Sequence, residues 1–209
     1  MMKKLLVATH NKGKLIEIKE ILKPLPLELI ALSDLPSLNP NHLQLSQTDV
    51  KETGKSFEKN AQIKANFFAG KTKLLTVADD SGLVVEALGG FPGVTSNRWH
   101  TGTDRDRNLA LLSKLDGKKN RTAKFVTVVC LSDPISLQDY FFTGEVEGRI
   151  AQSILGDEGF GYDPIFIPNN YQKTFAQLGI EKKNQLSHRQ RAFVQLKQYL
   201  EVQSNLLKK

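Results

Sequence analysis

Two adjacent carboxylates, Asp79 and Asp80, followed by Ser81 and Gly82, sit inside an otherwise apolar run from Thr76 to Val85. An acid at the end of a buried strand can orient water, accept a proton or hold a hard cation. Neighbouring side chains on an extended chain point to opposite faces, so both acids enter one cleft only if the chain bends there. One of the pair is therefore expected to be chemical and the other structural. The competing reading is a solvated, strand-ending turn rich in Asp, Ser and Gly.

Three further stretches carry groups that suit a phosphorylated ligand. Thr9-His10-Asn11-Lys12-Gly13-Lys14 lies between a short apolar strand and a helical pattern. Such a junction aims backbone N–H groups and the positive end of a helix dipole at one spot. Lys12 and Lys14 oppose that dipole, at about 0.3–1 kcal/mol each when exposed, and a bound polyanion would reverse the penalty; plain solvated lysines are the alternative. Gly159-Phe160-Gly161-Tyr162-Asp163-Pro164 joins glycines that permit close backbone approach to aromatics that can stack on a base. A bulged hairpin with packed aromatics would read the same way. Ser187 with Gln190 forms a capping box that puts His188 and Arg189 in the first turn of a helix.

The elements that must position these groups alternate between strand and helix. Leu5–Ala8 reads as a strand, and Leu15, Ile18 and Leu22 as one face of a helix that Pro24 stops. Leu27–Leu32 is a second strand and Ser33–Asp49 a polar loop. A helix is predicted from about Ser56 to Ala69, closed by Gly70. Leu74, Leu75 and Val77 give a short strand, interrupted by the acids and a Ser-Gly turn before Leu83–Val85 resume. Asp104–Leu115 reads as a helix with Leu109, Leu112 and Leu115 inward; Ala123–Leu131 and Tyr140–Glu147 read as a long hairpin joined across Asp133-Pro134. Ile165–Ile167 is a short strand, and the terminal helix opens in the Lys182–Gln190 stretch and runs to about Leu200.

Composition narrows the classes. The chain has 209 residues, 40% hydrophobic and 24% charged, as expected of a globular protein with a core that needs no staples. No apolar run approaches the roughly 18–20 residues that span a bilayer, so no membrane partner is expected and the chain is placed in the cytoplasm. The single Cys130 lies in the apolar run Phe125–Leu131, which marks it as a buried strand residue and excludes an intramolecular disulfide. A net charge of +7 suits an anionic partner, nucleic acid or nucleotide. Gly70-Lys71-Thr72 fails as a Walker loop because Ala65 stands where its first glycine belongs. No Cys/His spacing suggests zinc, so a metal would be magnesium held by carboxylate and phosphate oxygens. A basic nucleic-acid-binding module would explain the charge but leave Asp79-Asp80 without a role, so no nucleic-acid partner is expected.

Five stretches in order resemble the inosine triphosphate pyrophosphatase family, also called XTP/dITP diphosphatases: Thr9–Lys14, Ala78–Leu83, Leu88–Gly93, Gly159–Pro164 and Ser187–Arg189. The resemblance spans nearly the whole chain. It implies a mixed α/β fold, an elongated single domain of two lobes with a long central mixed sheet flanked by helices and a nucleotide cleft between the lobes. It also implies a homodimer, a magnesium requirement, and hydrolysis of ITP, dITP and XTP to monophosphate and pyrophosphate. By position, Thr9, His10, Asn11, Lys12, Gly13 and Lys14 would cradle the triphosphate. Asp80 would activate water and touch magnesium, and Ser81 would contact substrate. Phe160, Gly161, Tyr162 and Asp163 would line the base pocket with Lys183, His188 and Arg189; Lys64 is a further phosphate candidate.

This chain departs from the family pattern at two positions. Relatives often carry an acid just before Glu-Thr-Gly, where this chain has Lys51, so either Glu52 serves the metal or Asp80 and substrate hold it. Glu158 stands where relatives often have glycine. Hypoxanthine and xanthine present a 6-keto acceptor and an N1–H donor, which suits a cationic donor such as Arg189 and an acceptor such as Asp163.

Overall fold

The computed structural model describes residues 3–206. Six strands form one mixed sheet in the order β2-β1-β3-β4-β5-β6: β1 (Lys3–Val7), β2 (Leu27–Ala31), β3 (Leu75–Val85), β4 (Thr122–Asp133), β5 (Gln138–Ile150) and β6 (Phe166–Pro168). The helices are α1 (Lys12–Leu22), the single turns α2 (Leu35–Leu38) and α3 (Leu43–Ser46), α4 (Phe57–Thr72), α5 (Asp104–Lys114), α6 (Phe175–Leu186) and α7 (His188–Leu206). Strand β1 runs parallel to both neighbours, with Leu5 opposite Leu29 and Leu75, whereas β5 and β6 are antiparallel. None of the described helices is long and apolar enough to cross a membrane.

The chain divides into two compact units. The first holds the described residues up to Asp80, Val128–Thr143 and the described residues from Ala192 on; the second holds Ser81–Thr127 and Gly144–Arg191. In the first unit, strand alternation sorts the core into two layers. Leu5, Val7, Val77, Val129 and Leu131 pack with Ile18 and Leu22 of α1 and Phe193 and Leu196 of α7. Leu6, Ala8, Ala78 and Cys130 pack with Ala61, Ala65 and Phe68 of α4. The helices α1 and α4 thus lie on opposite faces of the same strands. In the second unit Leu83, Val85, Phe125, Val146 and Ile150 pack with Leu111 and Leu115 and with Phe166 and Phe175.

Several sequence expectations need correction. Ser81 and Gly82 do not turn: β3 runs unbroken for 11 residues, because the buried acids within it have polar partners and need no escape to water. Gly70 lies inside α4, which ends instead on Lys73 in the left-handed conformation (φ 59°). The Ser33–Asp49 loop is wound into short helical turns. Along α5, Leu109 faces out and Leu111 faces in, packed in the second unit's core with Leu115. Helix α6 was not anticipated, although Thr174 and Gln177 form a capping box at its start; the terminal helix begins separately at His188.

Candidate functional site

The polar residues of the first unit gather around β3. Asp79 and Asp80 are both buried, at 2% and 4% exposure, and alternation sends them to opposite faces. Asp79 turns toward α1, where its Oδ2 accepts a hydrogen bond from Lys14 Nζ at 2.8 Å. Asp80 turns toward α4, where its Oδ2 accepts from Asn60 Nδ2 at 2.9 Å. Lys64, one turn beyond Asn60, donates to Glu52 Oε1 at 2.5 Å and to the Asp79 carbonyl oxygen at 2.6 Å. Burial works against its charge, but Asp79, Glu52 and Asp80 outweigh that cost and raise its pKa. Burial pushes the Asp80 carboxyl up to about 6; Lys64 opposes the shift, Glu52 reinforces it, and Asn60 and Lys14 act against it.

The Thr9–Lys14 stretch enters α1. Asn11 caps the helix by accepting from the Lys14 N–H at 3.0 Å, and its own N–H donates to Thr9 Oγ1 at 3.2 Å. His10 Nε2 donates to the Thr48 carbonyl oxygen at 2.9 Å. Thr9 and Gly13 are half-buried and Lys12 is exposed. The first turn of α1 contains no acid of its own, so its N–H groups and the exposed Lys12 add positive potential there.

The second unit holds another cluster. Asp163 Oδ2 accepts from Lys183 Nζ at 2.6 Å and from the Phe160 N–H at 2.8 Å, so the carboxylate pins the glycine loop to α6. Gly159 is required there: its φ is +83°, and a Cβ would lie 2.2 Å from Asp163 Oδ2. Lys183 Nζ stands 4.0 Å from the Phe160 ring centroid and the Arg189 guanidinium carbon 5.7 Å from it, placing two cations on one aromatic. Gly161 donates to Asp104 Oδ2 at 2.7 Å and accepts from Asn108 Nδ2 at 3.0 Å, which ties the loop to α5 as well. The Tyr162 hydroxyl donates to the Ser96 carbonyl oxygen and accepts from Trp99 Nε1, so this ring is internal scaffold. His188 stacks on Phe125 with ring centroids 4.6 Å apart, and Arg189 Nη2 reaches to 3.4 Å from Ser81 Oγ.

The structure therefore brings Lys14, Asp79, Asp80, Lys64 and Glu52 together in one unit, and Ser81, Phe160–Asp163, Lys183, His188 and Arg189 in the other. Asn60, Asp104 and Asn108 escaped the sequence reading. Asn60 had left a signal, an amide four residues before Lys64 beside the buried Ala61. Among the described residues, no three His, Cys, Asp or Glu side chains are arranged to hold a metal alone. Glu52 and Asp80 lie near enough for the Glu52 charge to raise the Asp80 pKa. Two like-charged oxygen donors fit magnesium, which commonly takes one or two carboxylates and fills its remaining positions with phosphate and water.

Buried carboxylates among lysines are groups that suit a phosphorylated ligand held with a cation. Comparison with known proteins narrows this. The model of the Ham1 family matches residues 5–199. A dITP/XTP pyrophosphatase of Oceanobacillus iheyensis is 42% identical over 203 residues, covering 95% of this chain and 98% of the relative. One from Geobacter sulfurreducens is 44% identical over 203 residues, with 95% and 97% covered. The structure of a HAM1 protein from Coxiella burnetii superposes with a TM-score of 0.85 at 36% identity, covering 96% of this chain and 99% of that one. The Staphylococcus aureus Ham1 protein gives 0.83 at 38% identity, with 96% and 100% covered. The chain belongs to the Ham1 family.

Proposed function

We propose that this chain is a nucleoside triphosphate pyrophosphohydrolase that converts ITP, dITP and XTP to the monophosphate and pyrophosphate. The observation that carries the reading is Asp80, a buried carboxylate that accepts from Asn60 Nδ2 and stands beside Lys64 and Glu52. Its burial raises the carboxyl's affinity for a proton, the direction a general base needs. The printed activity of the relatives, dITP/XTP pyrophosphatase, supports the same reaction.

In this reading the first unit handles the phosphates. Lys12, Lys14 and Lys64, with the N–H groups that open α1, neutralise and orient the triphosphate. Glu52 and Asp80 would hold magnesium, which when bound supplies further charge neutralisation to the phosphates. The Asp80 carboxylate takes a proton from water as the water oxygen bonds to phosphorus at the α–β anhydride. The P–O bond of that anhydride breaks, its electron pair stays on the departing oxygen, and the products are the monophosphate and pyrophosphate.

The second unit handles the base. Phe160 offers a stacking face, and Lys183 and Arg189 donate toward a 6-keto oxygen. Asp163, held by Lys183 and the loop, acts as the clamp of this pocket. Adenine would present a 6-amino donor to these donors, leaving polar groups without partners at about 1–3 kcal/mol each. A homodimer, as the family resemblance implies, is part of the proposal and is checked by a solution mass measurement.

The deciding experiment incubates ITP, XTP, GTP and ATP with magnesium and assays pyrophosphate against orthophosphate. Pyrophosphate release from ITP and XTP well above that from ATP is expected. Orthophosphate as the product, or salt-sensitive RNA binding with no triphosphate hydrolysis, would overturn the assignment.

A further inference from the structure

Asn60 is the most deeply enclosed polar residue of the first unit's cluster, at 0% exposure, on α4 between the apolar side of Ala61, Ala65 and Phe68 and the position of Lys64 one turn on. A buried amide there has to satisfy both its ends. Its Oδ1 accepts from the Gly54 N–H at 2.8 Å, and this fixes which way the amide faces. Its Nδ2 is thereby committed to donate, and it donates to Asp80 Oδ2 at 2.9 Å. Gly54 takes part through its lack of a side chain, since a Cβ there would lie 2.6 Å from Asn60 Oδ1. It follows Glu52 by two residues, so the segment that presents Glu52 also sets the polarity of Asn60.

We propose that Asn60 is a positioning residue: oriented by the Gly54 N–H, it fixes the plane of the Asp80 carboxylate so that the acid meets water in one orientation. The inference rests on the hydrolytic reading of Asp80 given above. Its physical basis is that a carboxylate on a single χ2 torsion is broadly distributed unless something holds it, and that reacting groups must be held within a fraction of an ångström of productive geometry. Packing against Ala61, Ala65 and Phe68 does not require an amide at this position; its two hydrogen bonds, to Gly54 and Asp80, do. The donor directed at Asp80 is what distinguishes Asn60 from a core residue.

A positioning residue makes no substrate contact, so its loss should fall on turnover rather than on binding. Loss of a hydrogen bond to a charged group is expected to lower kcat roughly ten- to hundredfold. With ITP and magnesium, Asn60→Ala should show that fall with KM changed less than threefold. Asn60→Asp preserves the shape and an acceptor for Gly54 but replaces the donor with a carboxylate, and it should lose at least as much turnover. It also serves if the alanine variant does not fold. In the Asp80→Asn background, Asn60→Ala should lower the residual rate no further, because its effect passes through Asp80.

Wild-type kcat in either folded variant overturns the proposal. So does an undiminished effect of Asn60→Ala once Asp80 is gone, which is what a purely structural role would give. Absence of pyrophosphate release by the wild-type protein itself would instead overturn the hydrolytic reading, so the two failures are separable.

Discussion

Replacing Asp80 by Asn should make the metal-free protein more stable while removing most of its turnover. Asp80 is 4% exposed, and its pKa rises from 3.8 to about 6, chiefly by burial. An acid whose folded pKa lies above its unfolded value binds protons more tightly when folded, so stability falls as pH rises through that interval. The contribution is fully present below about pH 4 and gone above about pH 6. A difference of about 2 pH units corresponds to roughly 3 kcal/mol, the upper end of what an amide that never ionises would recover at pH 8. For a chain of this size that is a rise of roughly 6–12 °C in Tm.

The assay is thermal unfolding in a chelator at pH 4 and pH 8, alongside pyrophosphate release from ITP with magnesium. The variant should melt above wild type at pH 8 and level with it at pH 4, with turnover reduced roughly 10²–10⁴-fold as for loss of a general base. A variant that melts no higher than wild type at pH 8 would refute the electrostatic argument. A gap of equal size at both pH values would show that something other than ionisation separates the two proteins.

The other expectations follow from the same geometry. Lys14→Ala leaves the buried Asp79 carboxylate without its 2.8 Å ammonium partner and should cost about 3–5 kcal/mol in denaturant unfolding. Adding Asp79→Asn should restore most of that loss without restoring KM for ITP, and recovery of both would show that Lys14 serves only the fold. Gly159→Ala forces a side chain against Asp163 at a φ of +83°; KM for ITP should rise at least tenfold, and an unchanged KM would remove this loop from the base pocket. Magnesium alone, without nucleotide, should raise the Tm of wild type at pH 8 and leave that of Asp80→Asn nearly unmoved; equal shifts would place the metal elsewhere.

Much of this arrangement was legible in the sequence because it is local. The strand-to-helix entry at Thr9–Lys14 shows in the apolar run that precedes it and the 3.6-residue period that follows. The cap that places His188 and Arg189 in the first turn of α7 shows in the Ser187–Gln190 spacing. The expectation that Asp79 and Asp80 would differ in role came from alternation along an extended chain, and their separate partners are what alternation produces. What escaped depends on contacts distant in sequence. That β3 continues through its acids depends on Lys14, 65 residues from Asp79, and on Asn60, 20 residues from Asp80. The pinning of the Gly159–Gly161 loop depends on Asp104, 57 residues from its partner. Helix α6 is a different kind of miss, since its capping box was present and a glycine-interrupted pattern hid it: Gly179 carries non-helical angles within the element.

The placement of two consecutive acids on one strand has an electrostatic consequence that neither would have alone. In the first unit's cluster three carboxylates, Asp79, Asp80 and Glu52, stand among two ammonium groups, Lys14 and Lys64. Asp79 meets Lys14 on the α1 face, while Glu52 and Asp80 share the influence of Lys64 on the α4 side, so the carboxylates of the cluster outnumber its ammonium groups by one. The hydrogen bond from Asn60 to Asp80 is neutral and orients the carboxylate without cancelling the charge. Burial, reinforced by the Glu52 charge, raises the Asp80 pKa against the pull of Lys64, while the carboxylates around Lys64 raise its own. A divalent cation would turn the cluster's one-charge deficit into a one-charge surplus, favouring a polyanion and ionising Asp80 at once. A third lysine against Asp80 would stabilise the fold, yet it would occupy the room for a cation on which the proposed chemistry depends.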